Sequence, residues 1–368
     1  GTVIYNAFGG YVNEGTGNAS NNVLTLNNGK VGGYIEEDPA FYGVYGGRAY
    51  SGDTVNNSVN INGGRVGSLT GGYSDKGNVT GNVVTMIDGL AIGSSEAGSS
   101  NYGDVVNNTF ILKGGTLESS LFGGRTIYGE NAVNNTVIIS GGTVKNDIYG
   151  GHAQSGKATG NIVNLSGNPE FEKTTIYGGY SSTGDCFTDN TLNVNQDFEG
   201  SVIDVKNFNT YNFSPTALSH NGQTILTLTS VQGTDLSDST FKVTAEKIAG
   251  GGTLLEVGDK INLMYNANGI TTSAMDIVTP EVKGVQRGIT LSYDFVVKAE
   301  EDRITMEVTS VKANPEAIEL SEGRVTELNI LTQAAQKAAE IEMDGQDKLT
   351  PFMTFDAGHS RYNVGYNP

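Results

Sequence analysis

Asn134-Asn135-Thr136-Val137-Ile138-Ile139-Ser140-Gly141-Gly142-Thr143-Val144-Lys145-Asn146-Asp147-Ile148-Tyr149-Gly150-Gly151-His152 is the cleanest copy of a unit that fills the first half of this chain. Its second Asn recurs as Asn22, Asn57, Asn82, Asn108, Asn135, Asn161 and Asn190, at intervals of 35, 25, 26, 27, 26 and 29 residues. A period so short and steady marks a repeat architecture.

The columns of the repeat carry the physics. Two residues after each Asn stand Leu24, Val59, Val84, Phe110, Val137, Val163 and Leu192. Four after it stand Leu26, Ile61, Met86, Leu112, Ile139, Leu165 and Val194. Every one is apolar, whereas the residue between them varies (Thr25, Asn60, Thr85, Ile111, Ile138, Asn164, Asn193). That is the period-two pattern of a strand with one face in a core, and a helix does not produce it. The Asn shares the parity of the apolar columns and is therefore expected inside, where stacked amides form a ladder. Leaving such a group unpaired in a core costs about 1 to 3 kcal/mol.

A second strand is expected after a Gly turn, ending in an aromatic or apolar residue and a Gly pair: Phe8-Gly9-Gly10, Tyr45-Gly46-Gly47, Thr70-Gly71-Gly72, Phe122-Gly123-Gly124, Tyr149-Gly150-Gly151 and Tyr177-Gly178-Gly179. One coil, around Ile92-Gly93, reads as having lost the pair. Paired glycines suit a corner with positive φ or a close approach of backbones. One such coil cannot close a core alone, so neighbours must stack on it. The expected fold is all-β, a right-handed parallel β-helix whose seven front coils span ~34 Å.

Composition narrows the function. Of 52 glycines, 38 precede residue 196, which sets a boundary near Asn195. A net charge of -18 argues against nucleic acid or an anionic membrane as partner. The single Cys186 excludes an intrachain disulfide and a thiol metal site, and no apolar run reaches the ~20 residues of a membrane helix. Gly1 to Tyr5 falls inside a repeat, from which a processed or truncated fragment lacking earlier coils is expected.

Four segments follow: repeat coils over 1–195, further coils and a β cap over 196–312, a helical linker over 313–345, and a strand that begins and stops over 346–368. Within the second, strands are expected at Ser201 to Val205, Thr224 to Leu228, Phe241 to Ala245, Lys260 to Met264, Ile289 to Val297 and Arg303 to Val311. After Pro315, apolar residues among good helix formers predict a helix from about Glu316 to Met343.

This order of parts resembles the passenger region of a type V autotransporter. Three passages carry the resemblance: the Gly-Gly coil repeat; Val205-Lys206-Asn207-Phe208-Asn209-Thr210-Tyr211-Asn212-Phe213; and Glu319-Leu320-Ser321-Glu322-Gly323-Arg324 leading through Leu331-Thr332-Gln333 to Phe352 and Ser360-Arg361-Tyr362-Asn363-Val364-Gly365. The resemblance implies a cell-surface rod delivered by an outer-membrane barrel of the same full-length chain. Only the start of that barrel lies before Pro368.

Chemistry is sparse. His152, His220 and His359 lie in separate segments, and no nucleophile elbow or zinc motif occurs. No cofactor or metal is expected. The acids brought together by the insertion Ile35 to Tyr42 read as a solvated loop, with calcium as the alternative. Repeat-region acids stand singly as Asp75, Asp88, Asp104, Glu118 and Asp147, although neighbouring coils could still pair two carboxylates, as polysaccharide hydrolases do. The sharper signal is the residue after each Gly pair: Tyr11, Arg48, Tyr73, Arg125, His152 and Tyr180. Stacked, these make a candidate ligand-binding stripe, since Tyr and Arg are enriched in contact surfaces. Replacing Tyr73, Arg125 and His152 by Ala is expected to abolish binding at a nearly unchanged melting temperature. The aromatic column before the pair is expected as an internal or corner stack.

The reading is a non-enzymatic adhesin or aggregation factor. Its partner is a glycan, a host or bacterial surface protein, or another copy of the rod. The rivals are a carbohydrate-active enzyme and a structural spacer for a missing N-terminal domain.

Overall fold

The structure, a computed structural model, describes residues 1–314 apart from 36–37, 130, 217–219, 249–253, 273–275 and 289, together with 331–332. It is an all-β parallel solenoid of about eight turns. Each coil from Asn22 to Asn135 carries four strands rather than two, as in Ala132–Val133, Thr136–Ile139, Thr143–Val144 and Ile148–Ala153, and the coil of Asn161 carries three. Each joins its counterpart in a neighbouring coil, parallel and in register, for instance Thr136 with Ile162, Ile148 with Ile176 and Ala132 with Val105. Four faces result: a short sheet, the Asn sheet that follows each Asn, a second short sheet, and the glycine sheet that holds the Gly pairs.

The corners follow from backbone chemistry. The residue before each ladder Asn is left-handed: Asn21, Asn56, Asn107 and Asn134 at φ 55 to 59°, with Gly81, Gly160 and Asp189 at the same place. These are the residue types that accept that conformation most readily. The turn after the Asn sheet uses positive-φ glycines, Gly29, Gly64, Gly89, Gly115, Gly142 and Gly167.

The Asn residues form the expected ladder. The Asn108 Nδ2 donates to Asn135 Oδ1 at 3.1 Å, and Asn135 Nδ2 donates to Asn161 Oδ1 at 3.3 Å. Each amide also binds the backbone, as Asn108 N–H does to Asn135 Oδ1 at 3.0 Å and Asn135 Nδ2 to the Val105 carbonyl at 3.0 Å. Asn57 through Asn190 are fully buried, as are Val59, Ile61, Phe110, Leu112, Val137 and Ile139 beside them.

The glycine pairs need correction. They lie within strands and none has positive φ; what they permit is close approach. A Cβ on Gly124 would stand 2.4 Å from the Asn135 amide carbon, and one on Gly72 2.5 Å from that of Asn82. The first glycine also turns inward, where a Cβ on Gly123 would meet the next coil's Gly150 carbonyl at 2.4 Å and the Asn135 Cβ at 3.3 Å. The coil around Ile92-Gly93 is the one without the pair, and its equivalent position lies a few residues on, because Leu69 and Gly72 pair with Ser95 and Gly98. Ala97-Gly98 stands there, keeping the glycine that meets the ladder.

The wide first interval is a hairpin, in which Gly33 pairs antiparallel with Tyr42 and Tyr34 with Phe41. Glu36 and Glu37 lie outside the described residues. Past Asn195 the Asn sheet continues through Thr210–Pro215, Thr240–Val243 and Asp276–Ile277. Here the core becomes aromatic, with Phe208, Tyr211, Phe213 and Phe241 buried and Phe213 stacked on Phe241 at 5.0 Å. Three antiparallel strands, Glu281–Arg287, Leu291–Ala299 and Arg303–Ala313, fold onto Lys260–Asn266. The expected linker helix and the strand start at 346–368 lie outside the described residues, save Leu331 and Thr332, which are helical.

Candidate ligand-binding face

Along the glycine sheet, Val44, Leu69, Leu121, Ile148 and Ile176 point into the core. The next residue points outward. Because both glycines that follow turn toward the ladder, the residue after them also points outward. Two columns therefore stand side by side on the outer face. One is the predicted stripe of Tyr11, Arg48, Tyr73, Arg125, His152 and Tyr180, with Ser99 in the irregular coil. The other is Phe8, Tyr45, Thr70, Glu96, Phe122, Tyr149 and Tyr177, which the alternation places outside the core rather than within it.

The columns pack against each other. Within one, Phe122 stacks on Tyr149 at 5.0 Å and Tyr149 on Tyr177 at 4.8 Å. Within the stripe, His152 stacks on Tyr180 at 4.8 Å. Between columns the rings of the later coils meet nearly at right angles, Tyr149 with His152 at 87° and Tyr177 with Tyr180 at 88°, whereas Phe8 and Tyr11 stack at 11°. Such a herringbone suits the ring quadrupoles and covers much of each face with a neighbour. The ends are the open parts, Tyr11 being 49% and Tyr180 37% exposed.

Thr70, Glu96 and Ser99 interrupt the aromatic run and divide it into two patches. Glu96 is buried, and its Oε1 takes a 2.9 Å bond from Arg125. Arg125 also lies 5.0 Å from the Phe122 ring centroid. Burial, reinforced by the Arg125 charge, holds the His152 imidazole down to about 4, so this member of the stripe is neutral at pH 7. Burial and the nearby Asp147 push the Tyr149 hydroxyl above its usual range.

The second patch is built around Arg48, whose guanidinium carbon lies 5.2 Å from the Tyr73 centroid, 5.4 Å from Tyr45 and 5.8 Å from Phe8 and Tyr11. A hollow of about 120 Å³ opens beside it, lined by Tyr11, Asn13, Arg48, Tyr50, Tyr73 and Asp75.

Of the singly placed acids, Asp88 accepts the Gly89 N–H in its own turn and the others serve cross-coil structure. Asp75 accepts from Asn101, Glu118 pairs with Lys145 at 3.1 Å, and Asp147 caps the Thr175 N–H at 2.9 Å. Asp104 belongs to an outer ladder in which Asp53, Asn78, Asp104, Asn131 and Lys157 each give an N–H to the side chain one coil earlier. Sequence reading missed this ladder, although an Asn or Asp directly after a loop Gly, at Asn18, Asp53, Asn78 and Asp104, was its signal. It also missed Tyr102 and Tyr128, exposed on successive turns with centroids 5.4 Å apart. A further hollow of about 270 Å³ holds Asp204, Asp235 and Tyr211, but Asp204 is committed to the Thr234 hydroxyl, the Val205 N–H and Lys206. His220 is exposed elsewhere, and His359 lies outside the described residues.

Comparison with family models, with curated proteins and with solved structures returns no match.

Proposed function

We propose that this chain is the surface-displayed passenger of an autotransporter, a rod that adheres or aggregates rather than catalyses. The observation that carries the reading is the pair of aromatic and cationic columns facing outward on the glycine sheet of an otherwise acidic solenoid. In this reading the antiparallel strands from Glu281 to Ala313 serve as the cap, the helical linker follows, and the barrel of the full-length chain delivers the rod to the cell surface. The resemblance of residues 205–213 and 319–365 to that family supports the delivery route, and the coil stack is the architecture it calls for. Partners are a glycan, a surface protein or a second rod; the -18 charge speaks against nucleic acid.

The test is binding of the purified chain to glycan and surface-protein arrays, with aggregation of cells displaying it as a second readout. Joint replacement of Tyr73, Arg125 and His152 by Ala removes ring contacts and leaves buried Glu96 unpaired, so that variant is expected to lose stability as well as binding. Tyr11→Ser with Tyr180→Ser, at the open ends, is the cleaner pair. If both variants bind and aggregate cells like the parent, the adhesive reading falls. The mutual covering of ring faces favours one alternative, a spacer, which predicts no ligand on either array.

A further inference from the structure

We propose that Arg48 anchors a site for a terminal acidic sugar, a ring carrying a carboxylate beside hydroxyl groups. This rests on the adhesive reading of the stripe and narrows it to one patch and one ligand chemistry.

The argument starts from a difference between two arginines in one column. Arg125 spends its charge on buried Glu96. Arg48, one patch away, has four rings around it, and its guanidinium has, among the described residues, neither an ion pair nor a hydrogen bond. Rings hold the guanidinium plane in place but do not satisfy its five N–H donors. A half-buried, oriented and unpaired guanidinium matches the two oxygens of a carboxylate.

The hollow supplies the remaining selectivity. Asp75 Oδ1 accepts a 2.6 Å bond from Asn101, while Oδ2 has no partner among the described residues. That oxygen would repel a second carboxylate but accepts from a hydroxyl next to the first. The Tyr50 hydroxyl and the Asn13 amide add groups that both donate and accept, and the tyrosine rings offer apolar surface to ring C–H groups. An acidic peptide meets Asp75 as a liability, whereas a hydroxy acid uses it. The -18 charge disfavours a long polyanion approaching the rod, so a single acidic sugar at a chain end fits best.

The test is calorimetric titration of the chain with an oligosaccharide ending in a uronic acid, and with its methyl ester. The acid is expected to bind and the ester to bind at least tenfold more weakly. Arg48→Gln, which keeps the packing but not the charge, is expected to lose at least as much, and Arg48→Lys an intermediate amount. Lys145→Gln, on another face, should leave affinity unchanged. Equal affinity for acid and ester, no binding of the acid, or retained affinity in a folded Arg48→Gln chain would each overturn the proposal. Should Arg48→Gln fail to fold by circular dichroism, the comparison of acid with ester on the unaltered chain still decides. Cell aggregation by a chain carrying Tyr180→Ser alone, outside the Arg48 hollow, reports separately on the adhesive reading.

Discussion

Truncating one rung of the inner ladder, Asn135→Ala, tests whether the amide column holds the coils together. The Asn135 side chain accepts from the Asn108 N–H at 3.0 Å and Asn108 Nδ2 at 3.1 Å, and it donates to the Val105 carbonyl at 3.0 Å and Asn161 Oδ1 at 3.3 Å. All five groups are buried. At a net contribution near 1 kcal/mol per bond, the loss is about 4 kcal/mol. Asn22, at the open end, only donates to Asn57 and is partly exposed. Asn22→Ala should therefore cost about 1 kcal/mol, because water replaces much of what is lost. Guanidinium denaturation read by circular dichroism gives the order of the two variants. A solenoid need not unfold in one step, so hydrogen exchange at the Asn108 amide supplies the local measurement and should accelerate strongly in Asn135→Ala alone. The double variant Asn108→Ala, Asn135→Ala should cost less than the sum of its parts, since they share bonds. If Asn135→Ala costs no more than Asn22→Ala and Asn108 remains protected, the amides are passengers and the apolar columns hold the stack unaided.

Three further outcomes follow from the same geometry. Gly124→Ala forces a methyl to 2.4 Å from the Asn135 amide and should lower stability by ~3 kcal/mol in calorimetry, whereas Ala97→Gly should cost under ~1 kcal/mol. Asn134, at φ 56°, should tolerate Gly, which two other coils already use, and lose ~1 kcal/mol with Ala; thermal melts of both variants decide. His152 has a folded value of about 4 against 6.5 for the free side chain, so between those values the unfolded chain binds the extra proton. Stability is thus complete above about 6.5 and falls as pH drops toward 4, by ~1 to 2 kcal/mol after allowing for partial exposure. A His152→Gln chain should show a shallower decline in melting temperature across that window.

The inner ladder was legible because it writes two signals at once, a polar column at constant spacing and apolar neighbours of the same parity. Parallel pairing followed, since columns that recur in the same chain sense every 26 or so residues stack equivalent strands side by side in one direction. The four-strand outline was not legible, because pairs such as Ala132–Val133 and Thr143–Val144 are too short to show a period. The glycine pairs left two reasons open, because sequence shows that a side chain is excluded but not whether torsion or a neighbour excludes it, and here the neighbour is the Asn amide. The outward direction of Tyr149 and its column was hidden by the same pair, whose two inward glycines shift the alternation by one. Beyond Asn195 the strands at Thr224–Leu228 and Arg303–Ala313 were visible as runs, but antiparallel pairing of the last ones depends on loops that carry no repeat.

The two ladders run in opposite senses, and this bears on how the rod ends. Along the inner one an N–H gives to the Asn of the following coil; along the outer one it gives to the side chain of the preceding coil. Any cut between coils therefore leaves one ladder short of acceptors on each side, so no coil is a natural terminus on polar grounds. The chain resolves this after Asn190 by abandoning amides. Asn190 Nδ2 gives to the Ala158, Cys186 and Asn207 carbonyls, and Phe208 is buried beside it. From there the Asn sheet packs aromatic side chains inward, with Phe213 stacked on Phe241, while buried polar contacts shift to other sheets, as where Asn266 Nδ2 gives to the Thr234 hydroxyl at 3.1 Å. The change from Asn to Phe is thus the point at which a structure that must repeat becomes one that can stop.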